Sequence, residues 1–210
     1  MGTAKRACFI IYRLLVAGLV AAAIITQLAH GLKGPHFSVV NFFSFFTIQS
    51  NLFGLLVFAI SAVLLMCRRT WRVLPFLRGA ATTYMIMTGI IFALLLSGKT
   101  DVQTTLPWVN TVVHQLFPII IAVDWLIDSP GRIPYHKALW WLIYPLAYLA
   151  YSLVRGSIVH WYPYPFLNPA TGGYDKLVLT SVIILVATFG LLGLLVLRTR
   201  FGSMPQRARK

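Results

Sequence analysis

The chain has 210 residues, of which 59% are hydrophobic and only 10% charged, and its mean hydropathy is +0.80. Soluble domains carry roughly 25% charged residues, so this composition excludes a soluble enzyme, a disordered chain and a disulfide scaffold. The net charge is +14, from 18 Lys and Arg against 4 Asp and Glu. In a soluble protein this surplus would indicate a nucleic-acid partner, but in a membrane protein it reports orientation.

Six apolar runs are each long enough to cross a bilayer as a helix, which takes about 20 residues. They cover about residues 8–29, 41–66, 75–97, 107–127, 138–157 and 176–197. The first run follows a basic start at Lys5 and Arg6 but has no clear small-residue cleavage site, so we expect a retained span and not a signal peptide. The sequence predicts an all-α polytopic membrane protein, a six-helix bundle that forms a single domain over residues 1–210.

The basic residues alternate between the two sides of the membrane. All but four of the 18 Lys and Arg fall on one side, and the exceptions are Lys33, Lys99, Arg155 and Lys176. Cytoplasmic loops carry the excess of basic residues, so both termini are predicted in the cytoplasm of a cytoplasmic (inner) membrane protein. The orientation in the membrane therefore explains the positive charge without a nucleic-acid partner, including the charge of the tail Arg207–Lys210. We expect membrane lipids as the partner. Cys8 and Cys67 fall at cytoplasmic ends, where thiols stay reduced, and are expected to be structural.

Polar residues at membrane depth are costly and tend to face a bundle interior or a cavity. Three spans carry polar stripes at helical spacing. The second has Asn41, Ser44, Thr47, Asn51 and Gly54, widened by Gln49 and Ser50. The fourth has Asn110, His114 and Pro118, with Thr111 and Gln115 beside them, and the fifth has Tyr144, Tyr148, Tyr151 and Arg155. These stripes predict a polar, aromatic-walled cavity that opens toward the outer leaflet.

Thr47 and His114 are predicted at matching depth in this cavity. Counted from the outer ends of their spans, each lies roughly 10 Å deep at 1.5 Å per residue, so the two can meet. A threonine hydroxyl is a poor nucleophile unless a base takes its proton, and histidine is the usual base at neutral pH. Donors for a developing oxyanion would come from Asn51, Gln49, Asn110 or a tyrosine hydroxyl.

Each of these residues also has a structural interpretation. Intramembrane threonines often bond their own helix or join two helices, and a buried histidine is often only a hydrogen-bonding element. The tyrosine stripe can serve packing. Arg155 either anchors the chain at the interface or presents a cation at the cavity mouth. Asp124 and Asp128 lie near the cytoplasmic end of the fourth span and are expected to be interfacial and structural.

No cofactor and no metal ion is predicted. Only His114 of the five histidines lies well inside a span, whereas a membrane cytochrome needs paired axial ligands at matching depth. The segment 161–166, with Pro163 and Pro165, cannot form a regular helix. Its aromatic residues suit either a simple interfacial belt or a lid or wall of the cavity.

Three segments together resemble a known family of membrane hydrolases. They are the run 45–51 around Thr47, the run 110–118 around His114, and the aromatic segment 161–166. Their order, spacing and six-span setting resemble the androgen-induced and androgen-dependent TFPI-regulating proteins over roughly residues 40–170, and the chain looks like a bacterial relative. The resemblance implies hydrolysis of fatty-acid esters of hydroxy fatty acids, with Thr47 as the intramembrane nucleophile and His114 as its partner.

We therefore expect a threonine-dependent lipid (fatty-acyl) ester hydrolase acting on an amphiphilic lipid ester. Thr47 and His114 would be catalytic, and substrate contacts would come from Asn51, Gln49, Asn110, Tyr148, Tyr151 and Arg155, with Arg155 holding a substrate carboxylate. The main alternative is a small transporter or lipid-binding protein in which His114 carries protons. A third possibility is a scaffold without a site.

Overall fold

The computed structural model describes residues 2–98 and 106–201, and these are helical with short connections. Of the basic residues used for orientation, Lys99 and the tail Arg207–Lys210 lie outside the described residues. The six long helices are α1 (Thr3–Gly31), α3 (Phe46–Met66), α4 (Leu74–Leu96), α5 (Pro107–Ile127), α6 (Tyr135–Val159) and α7 (Pro169–Phe201), and a short helix α2 (Val39–Phe43) precedes α3.

All six long helices are long and apolar enough to cross a membrane. This confirms the predicted all-helical, multipass membrane protein. Their bounds lie within a few residues of the predicted spans except at the starts of α1, α3 and α7, and α1 begins five residues earlier than expected. The α3 helix begins five residues later than expected, and α7 begins seven residues earlier and is kinked at Gly173, where φ is 75°. A glycine accepts this left-handed backbone without steric cost.

The chain forms two compact units, Met1–Asp124 and Trp125–Lys210, and the predicted organisation as a single domain stays a prediction. In the first unit, α1, α3, α4 and α5 share one apolar core. Its centre is formed by side chains that are almost fully buried, among them Val20, Phe58, Met85 and Phe117. The ring of Phe117 packs edge-on against Phe58, with centroids 5.4 Å apart.

Two glycines allow close helix approaches in this unit. A Cβ on Gly54 of α3 would lie 2.8 Å from a ring carbon of Phe117, and a Cβ on Gly89 of α4 would lie 3.1 Å from Pro118. A hydroxyl pair, Ser50 and Thr88, links α3 to α4 at 3.0 Å. Small residues and hydroxyls at such contacts are the usual means by which membrane helices associate. The polar parts of α3, α4 and α5 are thereby held close to one another.

In the second unit, α7 is fastened to the segment that precedes α6. The indole N–H of Trp125 donates to the Leu195 carbonyl at 3.3 Å, and the guanidinium of Arg198 donates to the Leu126 carbonyl. The ring of Trp125 packs edge-on against Trp141 of α6, with centroids 6.3 Å apart. These contacts fasten the C-terminal part of α7 to the end of α5 and to α6.

Candidate active site

Thr47 lies in the first turn of α3, directly after a break in the second apolar run. Phe45 has extended backbone angles (φ −73°, ψ 130°) and separates α2 from α3. The side-chain Nε2 of Gln49 donates to the Phe43 carbonyl across this break at 2.8 Å, and the Ser44 hydroxyl donates to the Val40 carbonyl at 2.7 Å. The side chain of Thr47 is buried. Thr47 therefore occupies a buried helix N-terminus.

The expectation of one continuous polar face from Asn41 to Gly54 is wrong. The break places Asn41 in α2 and leaves Ser44 between the helices, so only Thr47, Asn51 and Gly54 share the α3 face. No proline or glycine marks the break, and the backbone carbonyl freed at Phe43 is satisfied by the Gln49 side chain instead. The side-chain nitrogen of Gln49 thus already donates a hydrogen bond to the backbone.

Asn51 ties the first turn of α3 to α5. Its side-chain nitrogen donates to the carbonyl of Thr47 at 2.8 Å and to the carbonyl of Val113 at 3.1 Å, and the residue is 0% exposed. Because both partners are acceptors, only this orientation of the amide is possible. Both amide hydrogens are used, so the role of oxyanion donor expected for Asn51 does not fit this arrangement. Its role here is to join the Thr47 turn to the residue next to His114.

His114 is at the centre of a π-helical turn, Val112–Leu116, inside α5. Such single turns often accompany functional sites, because they shift side chains from regular helical positions. Pro118 lacks the N–H that would bond the His114 carbonyl, which favours the irregular turn. A second π turn, Phe92–Leu96, ends α4 and supplies the ring that stacks on His114, with centroids 4.1 Å apart and planes 15° from parallel.

The hydrogen bond to Asn110 selects the tautomer of His114. Nδ1 lies 2.9 Å from Asn110 Oδ1, and an amide oxygen only accepts, so Nδ1 carries the proton. In the neutral imidazole Nε2 then holds the lone pair, and no hydrogen bond to it is formed within residues 2–98 and 106–201. The imidazole is thus fixed by Asn110 on its edge and by Phe92 on its face. This is the form in which histidine acts as a base.

The predicted substrate-binding residues of the fifth span belong to the second unit. Tyr148 is buried and Tyr151 exposed, with ring centroids 6.4 Å apart. The guanidinium of Arg155 lies 5.1 Å from the ring centroid of Trp161, a cation–π contact. Tyr162 packs on Gly156, where no side chain would fit. The 161–166 segment is therefore attached to the C-terminal end of α6, and its role as lid or belt stays a prediction.

Asp124 forms a buried ion cluster, which fits the structural role expected for it, and its position at the membrane interface stays a prediction. Its carboxylate is 4% exposed and binds two arginines: Arg13 of α1 at 2.7 Å and Arg78 of α4 at 2.8 Å. The Arg13 side chain is itself buried, with its guanidinium 4.9 Å from the Phe9 ring centroid. Sequence analysis missed this cluster because its members lie far apart in the chain. Asp124 follows His114 by ten residues, about 15 Å along a helix, so it does not orient the imidazole.

Sequence analysis also missed Phe92 and Gln27. Phe92 carries no polar signal and becomes part of the site only through its stacking on His114. Gln27 is buried in the C-terminal part of α1, and its isolated position in an apolar run was the available signal. In the described ranges, 2–98 and 106–201, no three His, Cys, Asp or Glu side chains are grouped closely enough to hold a metal ion.

No protein-family model matches the chain, and no curated protein or solved structure is significantly similar to it.

Proposed function

We propose that the protein is an intramembrane hydrolase of lipid (fatty-acyl) esters, with Thr47 as nucleophile and His114 as base. One observation carries the proposal. His114 is held with its proton on Nδ1 by Asn110, and the adjacent Val113 is bound through Asn51 to the turn that contains Thr47. A buried hydroxyl, an oriented imidazole and a third group that orients the base are the groups that nucleophilic catalysis requires.

The proposed hydrolysis proceeds in two steps, acylation of Thr47 and hydrolysis of the acyl-enzyme. The Thr47 hydroxyl oxygen attacks the acyl carbonyl carbon while Nε2 of His114 takes the hydroxyl proton, and the imidazolium then protonates the departing alkoxide. An acyl ester of Thr47 remains. Water attacks this ester with His114 again accepting the proton, which releases the fatty acid and restores the threonine. The partial positive charge of the α3 N-terminus lies beside Thr47 and would stabilise the oxyanion.

The proposed setting follows from the sequence. Both termini lie in the cytoplasm of an inner membrane, the site lies toward the outer leaflet, and the ester enters sideways from the lipid. The resemblance to the androgen-induced and androgen-dependent TFPI-regulating proteins supports the same chemistry, and membership of that family is part of the proposal.

Turnover of 4-methylumbelliferyl palmitate by the purified full-length protein tests this function. Thr47→Val should abolish turnover, Thr47→Ser should retain part of it, and His114→Gln should lower kcat by about 10²–10⁴-fold. Thr83→Val is the matched control, because Thr83 is a buried threonine that only bonds its own helix at the Gly79 carbonyl. Hydrolysis that survives Thr47→Val would contradict the proposal. If His114→Gln in addition abolished proton transport, the two results together would favour a transporter.

Asn110 is assigned as a positioning residue. Asn110→Ala should lower kcat by at least about tenfold with little change in KM, because the neutral histidine then populates both tautomers. Asn110→Asp should restore activity, since a carboxylate oxygen also accepts from Nδ1–H. Equal activity of all three forms would show that the imidazole needs no such support.

A further inference from the structure

The loop that joins α3 to α4 holds three arginines within five residues. Arg68, Arg69 and Arg72 are exposed, and Trp71 between them is 44% exposed. The loop connects the ends of two apolar helices, so it lies where a bilayer gives way to water. Tryptophan prefers the headgroup level of a membrane, and guanidinium groups bind phosphate with paired hydrogen bonds. The two side-chain types therefore suit the same environment.

No acidic side chain of the described residues pairs with this loop. In the part of the chain that the structure describes, none of the three arginines forms a hydrogen bond or an ion pair through its side chain. The whole sequence has only four acidic residues, and the carboxylate of Asp124 is already shared by Arg13 and Arg78. The charges of the loop are thus open to an external anion.

The backbone at Arg68 has a conformation that is uncommon for a residue with a side chain. Its φ is 53°, a left-handed conformation that favours glycine because a Cβ crowds the backbone. Here α3 ends with the N–H of Arg69 donating to the Leu64 carbonyl at 2.9 Å and that of Arg68 donating to the Leu65 carbonyl at 3.3 Å. Glycine is the usual residue at such a helix end. Arginine at this position therefore carries a conformational cost that glycine would avoid.

We propose that the loop 67–73 is a binding site for the headgroup of an anionic phospholipid. Arg68, Arg69 and Arg72 contact the phosphate, and Trp71 packs at the boundary between headgroup and acyl chain. The exposed apolar side chains of Met66 and Val73 on either side of the arginines favour a lipid over a soluble polyanion, which would leave them in water. This site is independent of the proposed hydrolase.

Native mass spectrometry of the detergent-purified protein measures the binding directly. Dioleoyl phosphatidylglycerol is titrated against dioleoyl phosphatidylcholine, with inorganic phosphate and a single-stranded oligonucleotide as separate arms. We expect preferential retention of phosphatidylglycerol, weakened about 100-fold in the triple variant Arg68→Gln, Arg69→Gln, Arg72→Gln, because each cation near an anionic surface contributes about fivefold. The matched control neutralises three other exposed cations: Lys5→Gln, Arg132→Gln, Lys137→Gln.

Arg68→Gly separates a binding role from a structural one. It removes one charge while placing the preferred residue at the left-handed position, so thermal unfolding should occur at an equal or higher temperature while affinity for phosphatidylglycerol falls about fivefold. Equal retention of the two lipids by the wild type would overturn the proposal. So would an equal loss in the triple variant and its control, or an oligonucleotide that binds the loop more tightly than phosphatidylglycerol does.

Discussion

Replacing Asp124 by asparagine tests the buried charge cluster that joins three helices of the first unit. Oδ1 of Asp124 accepts from Nε and Nη2 of Arg13 at 2.9 and 2.7 Å, and Oδ2 accepts from Nη2 of Arg78 at 2.8 Å. Asparagine keeps the shape of the side chain but removes the carboxylate that the two cations share. Its amide nitrogen would also face one guanidinium as a second donor.

We expect Asp124→Asn to lower the free energy of unfolding by about 3–5 kcal/mol, the cost of leaving a buried charge without its partner. The Arg13 side chain is 2% exposed, so it cannot recover hydration without moving. Equilibrium unfolding in mixed micelles of dodecyl maltoside and sodium dodecyl sulfate measures the change. Asp175→Asn is the control, because that exposed carboxylate should contribute less than about 0.5 kcal/mol.

A loss below about 1 kcal/mol for Asp124→Asn would refute the electrostatic reasoning. A second variant sharpens the test: Arg13→Met, Asp124→Leu and Arg78→Met combined remove every charge while keeping most of the volume. Since apolar replacement of a whole buried ion cluster is often neutral or stabilising, this triple variant should recover most of the lost stability. A triple variant as unstable as Asp124→Asn would show that shape, and not charge, decides the effect.

Three further predictions follow from the geometry of the first unit. Asn51→Asp should lower the free energy of unfolding by at least about 2 kcal/mol, because it replaces a double donor with an acceptor facing two carbonyls; unchanged stability would contradict the assigned amide orientation. Gly54→Val should destabilise by about 1–3 kcal/mol through the clash with Phe117, whereas Gly18→Ala, with open space at its Cβ, should not. In a Cys8→Ser background, a membrane-impermeant maleimide should label the exposed Cys67 only from the cytoplasmic side, and labelling from the outer side would overturn the predicted topology.

The membrane-spanning helices could be predicted from the sequence because bilayer thickness sets their length and hydrocarbon excludes polar residues. The end of α4 at Leu96 and the start of α5 at Pro107 follow directly from this. The break before Thr47 could not be predicted in the same way. It contains no proline or glycine and depends on a side-chain bond from Gln49 to the Phe43 carbonyl.

The site residues Thr47, Asn51 and His114 were found by their polarity inside apolar runs. Their relations could not be predicted, because they depend on which helix faces which. Helical spacing places His114 one turn from Asn110, but only the structure shows the 2.9 Å bond between them. The pairing of Arg13 with Asp124 joins residues 111 positions apart, and no periodicity within one span reports such a contact.

The most direct test of the central claim is to ask whether Thr47 is an activated nucleophile. The purified protein is treated with a fluorophosphonate probe, and the modified residue is identified by mass spectrometry of proteolytic fragments. We expect a single adduct on Thr47 that is absent in Thr47→Val and strongly reduced in His114→Gln. Thr83→Val should react like the wild type. A folded wild-type protein that gives no adduct, or an adduct that persists in Thr47→Val, would contradict the central claim.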